Sequence, residues 1–130
     1  MEVTMTISVK DWNHLCRAAQ KGASSIVKRM IESNPDIDGF DKWCAASDAV
    51  KNGHLSVVKV IVDSNIGEDI IGQLLIEASE AGKKDIVLYL LPMVRRKTFL
   101  IMAANKARNR FPDIYNLLKP HTKFTDLNQL

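Results

Sequence analysis

The sequence predicts an all-α fold, a solenoid of about four helix-turn-helix repeats joined by reduced β-hairpin loops. The first observation is a set of three glycines, Gly22, Gly53 and Gly82, spaced 31 and 29 residues apart. The second is that an apolar pair begins four residues after each glycine, and another begins four residues later. These pairs are Ile26-Val27 with Met30-Ile31, Val57-Val58 with Ile61-Val62, and Ile86-Val87 with Leu90-Leu91. A period near thirty residues is typical of stacked helical units that present a surface to another macromolecule.

Side chains that helical periodicity does not explain share the same register. They are a tryptophan ten residues before the glycine, an alanine four residues before it, and an acidic-Ser-Asn triplet that begins ten residues after it. The residues are Trp12 and Trp43; Ala18, Ala49 and Ala78; and Glu32-Ser33-Asn34 with Asp63-Ser64-Asn65. Such a shared register indicates internal repetition, because amphipathic helices alone would share only their apolar spacing.

The repeats divide a single domain, residues 1–130, into four parts and a tail. The approximate bounds are 11–40, 41–69, 70–95 and 96–120, followed by a polar tail at 121–130. The fourth repeat lacks the glycine and has an irregular connection in its place. Pro112 is expected to open the last helix, because a first-turn residue needs no N–H donor.

Each repeat is predicted to form two short antiparallel helices. In the first helix, Leu15, Cys16 and Ala19 have the spacing of a helix with one buried face. A carboxylate just before each first helix is expected to cap its free N–H groups. The three capping residues would be Asp11, Asp41 and Asp69. The glycines are expected to end these helices with a positive φ, which only glycine adopts at low cost.

Composition is that of an ordinary soluble domain, with 46% apolar residues and a net charge of +3. No apolar run approaches the ~18 residues of a membrane span, and the N-terminus lacks a charged-then-apolar leader. We therefore expect a cytoplasmic location, in the producing cell or a host cell, and no membrane partner. Cys16 and Cys44 fit no metal spacing and are expected to be buried free thiols.

The chain resembles the ankyrin repeat family over roughly residues 11–119. That family ends its first helix in Ala-Ala-x-x-Gly-His and carries Ile-Val-x-x-Leu-Leu in its second; Ala18–Gly22 and Lys51–Val58 match these motifs. Asn34 takes the family's left-handed glycine slot after the second helix, and asparagine tolerates that conformation. The repeats are degenerate, since the family's Thr-Pro-Leu-His opening is absent and Leu91–Val94 replaces the last hairpin.

The resemblance implies protein binding through one concave face. Family contacts lie in the hairpins, at the start of the first helix and at its last exposed turn. By register these positions are Lys10, Trp12, Gln20 and Lys21; Phe40, Asp41, Trp43, Lys51 and Asn52; and Asp69, Ile70, Glu80 and Ala81. On the loop around Phe40, the residues Asp36, Asp38 and Lys42 complete the predicted site.

Phe40 and Trp43 are the strongest candidates within that set. Aromatic anchors rimmed by polar residues have the composition of interface hot spots. The alternative is that Trp43 packs against a neighbouring repeat, as Trp12 would do at the equivalent place.

The charges are distributed unevenly along the chain. Residues 32–48 hold five carboxylates and one lysine, whereas residues 95–110 hold six cations and no acid. The six, here called the basic cluster, are Arg95, Arg96, Lys97, Lys106, Arg108 and Arg110. We interpret the basic cluster first as the solvated face of a terminal repeat, and alternatively as a site for an acidic protein or for nucleic acid.

The sequence predicts no enzyme, no cofactor and no metal site. His14, His54 and His121 are scattered, and His54 is expected to support the turn beside Gly53 by hydrogen bonding. Neither a glycine-rich phosphate loop nor a paired-cysteine, His-Glu-x-x-His or nucleophile-elbow motif occurs. The neighbouring carboxylates Glu77 and Glu80 are typical of a solvated helix face.

The predicted function is therefore a protein-binding module, a stoichiometric inhibitor or modulator that occludes a surface of a target. Stand-alone ankyrin-like proteins of viruses, phages and intracellular bacteria have this form. Two alternatives stay open: nucleic-acid association through the basic C-terminal repeat, and self-association between the acidic region of one copy and the basic cluster of another. Both alternatives should weaken steeply with added salt, whereas aromatic-anchored protein binding should not.

Overall fold

The structure is a computed structural model that describes the backbone of residues 9–123 and the side chains from His14 onward. Eight α-helices lie in that range as four consecutive pairs, and no strand occurs in it. The pairs are α1 (Val9–Lys21) with α2 (Ser24–Ser33), α3 (Gly39–Lys51) with α4 (Leu55–Asp63), α5 (Glu68–Ala81) with α6 (Lys84–Leu90), and α7 (Lys97–Ala107) with α8 (Pro112–Leu118). The all-α prediction is confirmed, while the predicted contacts of the Lys10 and Trp12 side chains lie outside the described residues.

The chain divides into two compact units, Met1–Ile70 and Ile71–Leu130. In the first unit, α1 packs against α2 and α3, and α4 packs against α2 and α3. Its core comes from side chains at helical spacing, such as Leu15 and Ala19 on α1 and Val57 and Ile61 on α4, all fully buried. Two helix pairs therefore share one core.

In the second unit, α8 packs against α6 and α7, and the 3₁₀ turn Lys119–Thr122 packs against α7 and α8. Gly72, inside α5, leaves room for an aromatic ring, because a Cβ at this position would lie 2.4 Å from Cδ2 of Phe99. Pro112 stands in the first turn of α8, as predicted. The 3₁₀ turn includes His121 and Thr122, two residues that the sequence assigned to the polar tail.

The turn inside each of the first three pairs is built around its glycine. Gly22, Gly53 and Gly82 have φ values of 79°, 76° and 74°, which confirms the predicted left-handed conformation. The residue after each glycine donates its N–H to the carbonyl of the alanine four residues before the glycine. These bonds join Ala23 to Ala18 (2.9 Å), His54 to Ala49 (2.8 Å) and Lys83 to Ala78 (2.9 Å). The repeated Gly and Ala positions are thus the two ends of one helix-terminating motif.

The predicted capping residues are wrong. The residue that caps α3 is Asp38, whose Oδ1 accepts the N–H of Asp41 at 2.9 Å. Asp41 and Asp69 lie inside the first turns of α3 and α5, and Asp11 lies within α1. The helices begin earlier than the apolar stripe suggested. At α3, the N-cap is therefore Asp38, the earlier of the two aspartates Asp38 and Asp41.

The predicted left-handed conformation of Asn34 is also wrong. Asn34 has a φ of −128°, and its side chain donates to the carbonyl of Met30 at 2.8 Å. The equivalent residue of the second pair, Asn65, does adopt a positive φ, of 73°. Pro35 explains the difference, because a following proline pushes a residue towards extended backbone, and Ile66 imposes no such restriction.

Glycine substitutions at these two asparagines should therefore have different effects on stability. At Asn65, glycine relieves the left-handed backbone, so the free energy of unfolding should change by less than about 0.5 kcal/mol. At Asn34, glycine increases the entropy of the unfolded chain and removes a hydrogen bond of the folded one. The free energy of unfolding should therefore fall by more than about 1 kcal/mol. Urea unfolding of Asn65→Gly and Asn34→Gly measures both values. Equal losses would contradict the assigned backbone conformations.

Neither cysteine forms a disulfide; Cys16 is buried as predicted, whereas Cys44 is half-buried. Burial, which is the largest cause, and the negative charge of nearby Asp48 together raise the pKa of the Cys16 thiol from 9.0 to about 11. The thiol therefore stays protonated at neutral pH and is a poor nucleophile.

A raised pKa in the folded state makes the Cys16 contribution to stability depend on pH. That contribution is fully present below pH 9 and is lost as the pH rises through about 11, where the folded protein must release the proton. Wild type should therefore lose more stability between pH 8 and pH 11 than Cys16→Ala, which has no thiol to titrate. Urea unfolding of both proteins at the two pH values tests this, and parallel losses would refute it.

Candidate protein-binding surface

The most exposed aromatic side chain of the described residues stands at the start of α3. Phe40 follows the first residue of that helix and is 61% exposed. Its ring centroid lies 5.9 Å from that of Trp43, with an interplanar angle of 72°, so the rings meet edge to face. Trp43 is half-buried and makes further interactions within the chain. The two rings, here called the aromatic pair, combine an anchored indole with an accessible phenyl ring.

Carboxylates surround the aromatic pair in the chain. Asp36 and Asp38 are exposed, and Asp41 is half-buried. Burial raises the pKa of Asp41, and the negative charge of Asp38 raises it further. A positive charge placed beside these carboxylates would be favoured, because it would offset their mutual repulsion.

Lys42, which sequence reasoning assigned to the partner, has a structural contact. Its Nζ donates to the carbonyl of Ser64 at 3.0 Å, just beyond the C-terminal end of α4. The ammonium thus lies at the negative end of the α4 dipole and ties α4 to the start of α3. This contact directs the one lysine of the acidic region towards α4.

The remaining predicted contacts of the first unit lie at the other end of the helices. Gln20, Lys21, Lys51 and Asn52 are all exposed. Gln20 Nε2 donates to a carboxylate oxygen of Asp48 at 3.2 Å. Eleven residues of helix separate Phe40 from Lys51, or about 16 Å. The predicted site therefore consists of an aromatic end and a separate polar end.

His54 has a structural role, but at a different turn from the one predicted. Its Nε2 lies 2.8 Å from the carbonyl oxygen of Gln20, and its ring occupies the space that a Cβ on Gly22 would need. The hydrogen bond joins the second helix pair to the turn of the first, so the side chain supports the turn at Gly22.

In the second unit, Glu80 lies 3.7 Å from Lys106, and both side chains are about half exposed. Asp69, which belongs to the first unit, is in the first turn of α5 and is exposed, and Ala81, in the second unit, is the last residue of that helix. An exposed ion pair of this kind contributes little to stability, and it leaves both groups accessible.

The six cations of the basic cluster lie in two groups at opposite ends of α7. Arg95, Arg96 and Lys97 come at its start, and Lys106, Arg108 and Arg110 come at its end. The helix is about 16 Å long, so the groups do not form one compact patch. Several of these cations have contacts within the chain: Lys97 Nζ donates to the His121 carbonyl at 3.2 Å, Lys106 pairs with Glu80, and the Arg110 guanidinium lies 5.3 Å from the Phe111 ring centroid.

Sequence reasoning missed the exposure of Ile26. Its register position belongs to the apolar pair of a second helix, yet Ile26 is 47% exposed. No helix pair precedes this one among the described residues, and the register of Ile26 alone does not report that difference.

Among the described residues, no three His, Cys, Asp or Glu side chains are grouped so that they could hold a metal ion. Within residues 9–123, no helix combines the length and the apolar character needed to cross a membrane. Comparison with protein-family models, with curated proteins and with solved structures gives no match to this chain. The ankyrin resemblance accordingly stays a prediction from the residues that carry it.

Proposed function

We propose that this chain is a protein-binding module that engages its target through the aromatic pair and acts by covering a surface of that target. The observation that carries the proposal is the 61% exposure of Phe40 on a helix whose start is fixed by the Asp38 cap. Burying a phenylalanine side chain completely is worth about 1.5–3 kcal/mol, so the exposed part of this ring can supply a substantial share of an interface. A hot spot of this kind is expected to lie near the centre of the contact.

The support around Phe40 favours binding over a purely structural role. The ring is packed on one side by Trp43 at 5.9 Å, and the helix below it is tied to α4 by Lys42. A preordered side chain loses little conformational entropy when a partner covers it, so a modest area gives useful affinity. The surrounding carboxylates would accelerate encounter with a basic target surface and favour such targets over acidic ones.

The ankyrin resemblance supports the same function, because the aromatic pair falls at a contact position of that family. A stoichiometric inhibitor or modulator is the form we propose, in a cytoplasmic setting such as that of a viral or bacterial effector. Nucleic-acid binding through the basic cluster is less well supported, since its cations are split between the two ends of α7 and several of them have contacts within the chain.

Affinity capture from a lysate of the source cell tests the proposal, with Phe40→Ala beside wild type. A matched control is Leu88→Ala, which removes an apolar side chain that is 49% exposed in the second unit. We expect a protein retained by wild type and by Leu88→Ala but lost by Phe40→Ala, in nuclease-treated lysate and at raised salt. Because Phe40 is largely exposed, Phe40→Ala should melt within about 4 °C of wild type.

Two outcomes would contradict the proposal. Retention of the same protein by Phe40→Ala would remove the aromatic pair from the interface. Retention that disappears with nuclease or with salt would instead support binding of nucleic acid through the basic cluster.

A further inference from the structure

The first helix pair has an apolar face that is open where the matching positions of the other pairs are buried. Ile26 is 47% exposed, whereas the residues at the same place in α4, α6 and α8 are at most 2% exposed. Those residues are Val57, Ile86 and Ile114. Four residues further along, Met30 is half-buried, and its equivalents Ile61, Leu90 and Leu118 are fully buried. The first pair therefore exposes a surface with the composition of a core.

Contacts within each unit indicate what kind of element covers this position. The helix α4 packs against α2, and α8 packs against α6, so each is covered by the second helix of the preceding pair. Helix α2 carries the same apolar register on its outer side and has no preceding pair among the described residues. The shape that fits the open face is consequently a helix.

The open face forms a groove of about 450 Å³ between α1 and α2. Its floor is apolar, with Ala18, Ile26 and Met30, and its α1 side is rimmed by His14, Arg17 and Lys21. The three rim residues are exposed, and the described lining includes no carboxylate. An apolar floor with a positive rim complements an element that is apolar on one face and negatively charged beside it.

We propose that this groove binds an acidic amphipathic helix of a partner protein. The site is separate from the aromatic pair and does not depend on the function proposed for that surface. A second copy of this chain fits less well, because its own groove carries the same positive rim and like charges would oppose each other. In helix-in-groove binding, apolar side chains at helical spacing on the bound helix contact an apolar groove. Ile26 and Met30 are the groove side chains that would make this contact.

A designed peptide provides a direct test without knowledge of the natural partner. The probe is a fluorescein-labelled helix of about 15 residues, with leucine at helical core spacing and glutamate at the remaining positions. The matched probe has lysine in place of every glutamate. Fluorescence anisotropy should show saturable binding of the glutamate peptide to wild type, and binding of the lysine peptide at least about tenfold weaker.

Substitutions then locate the binding. Binding of the glutamate peptide should be weakened at least about tenfold by Ile26→Asp. The double substitution Arg17→Glu with Lys21→Glu should weaken it by at least the same factor. Leu88→Asp makes the same chemical change at a similarly exposed apolar residue and should leave binding unchanged. Absence of saturable binding, equal binding of the two peptides, or insensitivity to Ile26→Asp would overturn the proposal.

Two further measurements separate other occupants of the face. Ile26→Asp alone should melt within about 4 °C of wild type; a larger drop would mean that the chain itself covers the groove, which would overturn the proposal. Vesicles containing phosphatidylserine should not compete with the glutamate peptide. Binding to vesicles that depends on Ile26 would assign the face to an anionic membrane surface instead.

Discussion

The described structure depends on a close contact between two residues of consecutive helix pairs. One is the turn glycine of the first pair, and the other is the residue just before the second helix of the following pair. At Gly22, whose φ is 79°, a Cβ would lie 2.7 Å from Nδ1 of His54. At Gly82, whose φ is 74°, a Cβ would lie 2.4 Å from Cε1 of Phe111. His54 and Phe111 are equivalent residues, since each immediately precedes the second helix of its pair. A glycine is therefore needed at both positions for two reasons: the backbone has a positive φ, and a ring packs where a Cβ would lie.

The two rings meet this requirement through different interactions. His54 adds a 2.8 Å hydrogen bond to the carbonyl of Gln20, in the last turn of α1, where carbonyls lack partners within the helix. Phe111 offers no such bond and fills the space above Gly82 by its volume. In the first unit, the contact fixes the second pair on the first, and the Lys42 contact with Ser64 then holds α4 against the start of α3. The aromatic pair is presented on a helix that is held at both ends.

Features that depend on local chemistry could be predicted from the sequence. The helix pairs and the positive φ of Gly22, Gly53 and Gly82 follow from register, and the structure agrees with each. Predictions failed where neighbouring residues compete. Pro35 removed Asn34 from the left-handed region, and Asp38 capped α3 in place of Asp41. Each outcome depends on one residue nearby in the sequence, and periodicity does not report it.

The candidate surfaces were only partly predictable for a different reason. The sequence singled out Phe40 and Trp43, but exposure and ring geometry depend on tertiary packing. Similarly, Arg96 and Arg108 are close in sequence yet lie at opposite ends of α7, because a helix separates residues that composition groups together. The exposure of Ile26 could not be read from its register, since the same position is buried in every later pair. What differs is that no helix pair precedes α1 among the described residues.

A double-mutant cycle on Gly22 and His54 tests the central contact most directly. Gly22→Ala should destabilise wild type by the left-handed backbone cost of about 1 kcal/mol plus the cost of displacing the His54 ring, about 1–3 kcal/mol. In a His54→Ala background, the ring is absent and only the backbone cost should remain, so the two substitutions should be non-additive by at least about 1 kcal/mol. Additive effects in urea unfolding would show that the ring does not rest on the glycine, and would contradict this account of how the helix pairs are joined.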